Sequence, residues 1–310
     1  MGHVHPGEQA GPTRALAVGL ALTIAIAIAE AVTGVLTGSL ALVSDAGHAV
    51  TDSAGLLLAL TAAVLGRRPA DTRRTYGYAR LEVLAVPVHV GLLLVLAGYI
   101  AWEAISRLGN VHGVDTGPAL VVAAVGLAVN LGVMRLLHAH THENLNVRAA
   151  SLEAGVDALG SVAVLASTAF IALGGWAGVD VIVALAIAAL IVPRAIHLLK
   201  QAADILLESV PAGLDPQRIV AASNQVEGVL ALHDVHIWSI APRFPALSAH
   251  VELADVRDTE HVLTELATLL RQEFGIGHVT LQPETPALHE AMECCLSPDA
   301  GGLDRAHVHG

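Results

Sequence analysis

Residues 38–52 read Gly-Ser-Leu-Ala-Leu-Val-Ser-Asp-Ala-Gly-His-Ala-Val-Thr-Asp, and the apolar run that holds them continues to Leu65. Asp45, His48 and Asp52 interrupt that run at steps of three and four, which sets all three on one face of a helix. Roughly 20 apolar residues are enough for a helix to cross about 30 Å of hydrocarbon. Ionisable groups at that depth are costly; they face a bundle interior and mark ion or proton paths. Farther along, Glu153 and Asp157 repeat the four-residue step inside another apolar run.

Working outward, the chain offers six segments of spanning length, at about 14–36, 39–65, 83–106, 118–137, 149–173 and 179–203. Only 14% of residues are charged, and the apolar residues are mainly Ala, Val, Leu and Ile in long runs, which does not suit a soluble globule. The first segment follows Arg14 and is too long for the apolar core of a signal peptide, so it reads as a retained helix. Arg67, Arg68, Arg73, Arg74 and Arg80 crowd the link between the second and third segments. Arg135 and Arg148 lie in the next link on the same side, and Arg194 and Lys200 close the sixth segment. The opposite links hold Arg107 alone. The positive-inside rule then predicts cytoplasmic N- and C-termini in a multi-pass protein of a cell (inner) membrane.

Charge divides the chain in two. Residues 1–205 carry 13 acidic and 11 basic side chains, a net of −2, whereas residues 206–310 carry 15 and 5, a net of −10. An acidic cytoplasmic portion repels nucleic acid and the anionic inner leaflet, and raises the local concentration of cations. Within it, 215–228 and 258–273 read as helices and 229–240, 246–254 and 277–284 as strands, a small α+β domain with helices on one face of a sheet. The expected division is a cytoplasmic N-terminus at 1–13, a transmembrane domain at 14–205, a cytoplasmic domain at 206–290 and a tail at 291–310. Both ends are polar or Gly-rich and read as disordered.

Two spans that each present a pair of ligands can surround one ion. His48, Asp52, Glu153 and Asp157 supply one imidazole and three carboxylates, a tetrahedral set suited to Zn²⁺. The competing reading is a hydrogen-bonded network between helices. Metal binds deprotonated ligands only, so loading such a site expels protons and emptying it recovers them. His-Glu-x-x-His, Gly-x-Ser-x-Gly and the P-loop are all missing from the sequence, which removes the usual machinery of metalloproteases, serine hydrolases and ATP-driven pumps. The reading is therefore a carrier and not an enzyme.

The stretch 38–52 resembles the second helix of the cation diffusion facilitators. Tyr76-Gly-Tyr-Ala-Arg-Leu-Glu82, Asp157-Ala-Leu-Gly-Ser161, Ile205-Leu-Leu-Glu-Ser-Val-Pro211, Val235-His-Ile-Trp238, Ser248-Ala-His250 and His278-Val-Thr-Leu-Gln282 are similar to that family as well, in order from about residue 14 to 285. The resemblance implies a six-helix all-α transmembrane bundle with a ferredoxin-like, metallochaperone-like cytoplasmic domain. It implies a homodimer that exchanges cytoplasmic metal, zinc foremost, for protons by alternating access. Zinc-transporting members usually place His, not Glu, at the position of Glu153. A third carboxylate hardens the site toward Mn²⁺ while His48 favours zinc, so Cd²⁺, Co²⁺, Fe²⁺ and Mn²⁺ stay open. A transport-inactive metal-sensing subunit is the other alternative.

Further metal candidates follow the same logic. His236, His250, His278 and Glu284 match positions where some family members bind regulatory metal, and Cys294 and Cys295 could cap such a site. Adjacent thiols cannot both reach one ion without strain, so reduced, exposed thiols are the other reading. His138, His140 and His142 form either a metal-collecting loop or a polar linker. Glu30 and Asp45 are candidates for the ion pathway. His89 is expected to hydrogen-bond between helices, and Asp71 with the arginines after it forms a loop that could hold metal at a dimer contact.

Overall fold

The computed structural model describes residues 10–108, 113–138, 145–242 and 244–288, with the side chains of 10–16 and 145–150 left aside. Six long helices come first: α1 (Ala10–Thr37), α2 (Leu40–Gly66), α3 (Leu81–Leu108), α4 (Thr116–His138), α5 (Leu145–Ala172) and α6 (Gly178–Leu206). All six are long and apolar enough to cross a membrane. Several run a few residues past the hydropathy limits, because backbone hydrogen bonding continues where the apolar run stops. The chain divides into two compact units. One comprises the chain up to Val64 with Leu84–Lys200; the other comprises Leu65–Val83 with the chain from Gln201. The link between α2 and α3 thus belongs to the C-terminal unit.

In the first unit, α4 packs along α5 and α1. A core of Leu40, Ala41 and Leu42 from α2, Leu93, Ala97 and Ile100 from α3, and Ala184, Ile191 and Ala195 from α6 is nearly inaccessible. Many of these residues are alanine, which lets helix backbones approach closely where lipid offers no hydrophobic drive for association. Leu57, Val95, Trp102, Leu159 and Leu190 are well exposed on the outside, as a lipid-facing surface requires. Pro87 and Pro193 lie within helices, which membrane helices tolerate when neighbours take over the freed backbone groups.

The second unit adds α7 (Pro216–Ser223), β1 (Val229–Ala241), β2 (Phe244–Leu253), α8 (Thr259–Phe274) and β3 (His278–Glu284). The sheet order is β1-β2-β3, antiparallel between β1 and β2 and parallel between β2 and β3. Ile219, Val262, Leu266 and Leu270 from the helices meet Leu247, Val251 and Leu253 of the sheet in one buried core. This is the expected α+β domain. Helix α7, however, stops at Ser223, five residues short of the expected end at 228. Asn224 caps it and uses its side chain to accept from the backbone of Leu232, and Gly228 takes a positive φ of 89° to turn into β1.

Candidate metal site

The four expected ligands come together. His48, Asp52, Glu153 and Asp157 each offer an atom, and these atoms all lie within 4.8 Å of one another. The i, i+4 spacing on α2 and on α5 turns each pair toward the other helix. His48 Nε2 stands 3.6 Å from Asp52 Oδ2 and 3.9 Å from Asp157 Oδ1. Both separations exceed a hydrogen bond. Tetrahedral Zn²⁺ holds its oxygen and nitrogen ligands at about 2.0–2.2 Å, which places the ligand atoms about 3.3–3.6 Å apart. His48 Nδ1 and Asp52 Oδ1 are buried without a hydrogen-bond partner. A finished hydrogen-bond network would pair such atoms, so the donor set fits a cation better than it fits a structural network.

Three neighbours frame the site. His89 of α3 points Nε2 at Asp52 Oδ1 from 3.9 Å, too far for the expected hydrogen bond. Its ring occupies the space where a side chain at Gly55 would lie, since a Cβ there would come within 2.0 Å of His89 Nδ1. On another side Asn130 of α4 donates to Ser161 Oγ (3.0 Å), and Ser161 donates to Asp45 Oδ2 (3.1 Å). Glu30 of α1 is 3% exposed, with Oε1 unpartnered and packed where Gly126 of α4 leaves room. Both expected pathway carboxylates are therefore buried among α1, α2, α4 and α5.

The third neighbour is Arg194 of α6. Its Nη2 donates to Glu153 Oε2 at 2.7 Å, its Nη1 pairs with Glu153 Oε1, and Nη1 also lies 3.4 Å from Asp52 Oδ2. Arg194 counts as an orientation signal in the sequence, where charge sums carry no depth. A lone cation within an apolar stretch that already contains Pro193 was the available clue.

In the C-terminal unit the cluster differs from the expected one. His250 Nδ1 lies 2.8 Å from Glu284 Oε1, and His233 Nε2 lies 3.4 Å from Glu284 Oε2. His233, His250 and Glu284 form the second group able to hold a metal among the described residues. Strand register explains it: His233 pairs directly with His250, and His250 pairs with Gln282, two residues from Glu284 on the same face. His236 and His278 stay outside this group. Asp234 adopts a positive φ of 49° at an irregularity in β1 and accepts His236 at 3.1 Å, with His236 largely exposed. His278 is six residues from Glu284 along an extended strand, about 20 Å, and its ring meets Tyr76 and Phe244 instead. Cys294, Cys295, His140 and His142 lie outside the described residues, and His138 ends α4.

Asp71 is committed to its own loop. It accepts from the backbone N–H groups of Arg73 and Arg74 (2.8 and 2.7 Å) and from the Tyr78 hydroxyl (2.8 Å). The Tyr78 hydrogen bond, followed by those two N–H groups, holds its carboxyl below the usual range. Arg74 stacks over the Tyr78 ring at 4.7 Å.

Six membrane-length helices, two of which bring one imidazole and three carboxylates together, make this a multi-pass membrane protein. The profile of the cation efflux transmembrane domain matches residues 16–207, and that of the cation efflux protein cytoplasmic domain matches 211–286. The chain belongs to the cation efflux family. It is 41% identical to the metal cation efflux system protein CzcD of Cupriavidus metallidurans, over 93% of this chain and 91% of the relative. It is 35% identical to the cadmium, cobalt and zinc/H(+)-K(+) antiporter of Bacillus subtilis over the full length of both. It is 36% identical to the zinc transporter ZitB of Escherichia coli, over 88% of each. A solved metal-bound C-terminal domain of a CzcD transporter is 33% identical over 23% of this chain and 99% of its own, with a TM-score of 0.22.

Proposed function

We propose that this chain carries divalent metal cations, zinc first, out of the cytoplasm in exchange for protons, with His48, Asp52, Glu153 and Asp157 holding the cargo. The observation that supports this most is the convergence of four ligand atoms from two spans within 4.8 Å. The names of the relatives point the same way: one is called a zinc transporter, and another a cadmium, cobalt and zinc antiporter that uses protons. Three ionised carboxylates repel each other in a low dielectric when no cation lies among them, so protons and metal compete for the same atoms. Alternating exposure of that set to the two sides then couples the two flows. The charge of the loops supports cytoplasmic termini in a cell membrane, and the matched cytoplasmic domain supports a homodimer.

The test is uptake into inverted vesicles or proteoliposomes across Zn²⁺, Cd²⁺, Co²⁺, Fe²⁺ and Mn²⁺, with internal pH followed in parallel. Saturable zinc uptake with opposite proton movement is expected. Metal flux that ignores collapse of the pH gradient would overturn the antiport.

A further inference from the structure

Arg194 occupies a place in the site that the carrier reading leaves unexplained. A guanidinium stays charged at every physiological pH and presents a planar fork that matches one carboxylate. Here that fork takes both oxygens of Glu153 and also approaches Asp52. Two of the four proposed cargo ligands therefore face a cation that is part of the protein. The pair sits at the more open edge of the site: the side chains of Arg194 and Glu153 are 35% and 33% exposed, against 11% for His48, 13% for Asp157 and 15% for Asp52. A flexible side chain with one flank open can swing away without unpacking the bundle.

We propose that Arg194 is a tethered cation that competes with the cargo: metal enters as the guanidinium leaves Glu153 and Asp52, and its return helps to eject the metal. This rests on the reading of His48, Asp52, Glu153 and Asp157 as the cargo site. The competition makes a prediction opposite in sign to that of a structural ion pair. Removing one partner of a structural pair loosens the site and weakens binding. Removing a competing cation leaves the same carboxylates to the metal and tightens it, at the expense of release.

The experiment measures Zn²⁺ binding to the full-length protein in nanodiscs by competition with a fluorescent chelator, and Zn²⁺ transport in proteoliposomes. All variants carry His250→Ala, so that the cytoplasmic cluster does not contribute. Arg194→Gln is expected to lower the Kd about tenfold or more, because unit charges a few Å apart near a protein surface interact by more than that factor. KM and kcat are expected to fall together. Arg194→Lys keeps the charge but loses the fork, and is expected to move Kd in the same direction by a smaller factor. Asp157→Ala is expected to abolish binding. If Asp157→Ala abolishes binding while neither arginine variant tightens it, the competition is overturned and the cargo site stands. If Asp157→Ala binds zinc as before, the cargo site itself is overturned.

Discussion

Asp180, the third residue of α6, accepts a hydrogen bond from the backbone N–H of Leu40 at 2.6 Å, across 140 residues of sequence. It also accepts from the N–H of Ala41 at 3.2 Å and from the hydroxyl of Ser39 at 2.6 Å. The first turn of any helix leaves N–H groups without an intrahelical partner. Here a carboxylate on a different span supplies the cap, in a place 2% exposed, and its charge suits the positive end of the α2 dipole. Helix α2, which carries His48 and Asp52, is thereby held at its start by α6, which carries Arg194.

Asp180→Ala leaves those N–H groups buried and unpaired. A loss of about 1–3 kcal/mol of stability is expected, read as a lower melting temperature of the detergent-solubilised protein. Asp180→Asn, which keeps one acceptor, is expected to fall between. A melting temperature equal to that of the parent protein in both variants would show that the cap is dispensable.

Substitution of the proposed cargo ligands should separate transport from folding. His48→Ala, Asp52→Ala and Asp157→Ala are each expected to reduce metal flux by at least about 100-fold, since even the outer partners of metal ligands matter by 10–100-fold. Size-exclusion behaviour and melting temperature should stay near those of the parent. Flux above a tenth of the parent value in any of the three would remove that residue from the site.

In the proposed cargo site Glu153 hardens the donor set, so Glu153→His should change relative uptake. Zn²⁺ is expected to stay first in the rank order, while uptake of Mn²⁺ and Fe²⁺ falls relative to Zn²⁺ and Cd²⁺, because imidazole suits the softer ions. Unchanged relative uptake would mean that the other three ligands determine selectivity, and a switch from Mn²⁺ or Fe²⁺ to Zn²⁺ would overturn zinc as the first cargo.

The membership of the His233, His250 and Glu284 cluster can be tested directly. In an Asp157→Ala background, the full-length chain is expected to lose bound Zn²⁺ when His233, His250 or Glu284 is replaced by Ala, and to keep it when His236 or His278 is replaced. Equilibrium dialysis with metal analysis gives the answer. Loss with His278→Ala would contradict the strand register.

Loop 71–78 has a pH dependence with a definite sign. Asp71 is held below the usual carboxylate range, chiefly by the Tyr78 hydroxyl. A depressed value in the folded state contributes order that is fully present above the unfolded value of about 3.9 and is lost as pH falls through the folded one. Tyr78→Phe removes the leading hydrogen bond, so the Asp71 titration observed by NMR should move up toward the ordinary value. No movement would mean that the two backbone N–H groups suffice.

Features that are local along the chain are legible from its residues alone. Hydrocarbon thickness imposes a minimum length on any span, so six apolar runs were legible without contacts. The pairs His48/Asp52 and Glu153/Asp157 were legible because one helical turn joins their members. Alternation and turn residues mark β1, β2 and β3 in the same way, although the expected α7 runs too long because Asn224 and Gly228 act through backbone torsions that composition does not reveal. Tertiary structure alone decided what depends on alignment between distant segments. Whether His233 or His236 joins His250 and Glu284 is a matter of strand register, and one irregularity at Asp234 changes which side chains share a face. Whether Arg194 marks a membrane boundary or grips Glu153 depends on how α6 lies against α5. Side chains from separate elements meet only where packing places them, and no periodicity within a single element records that.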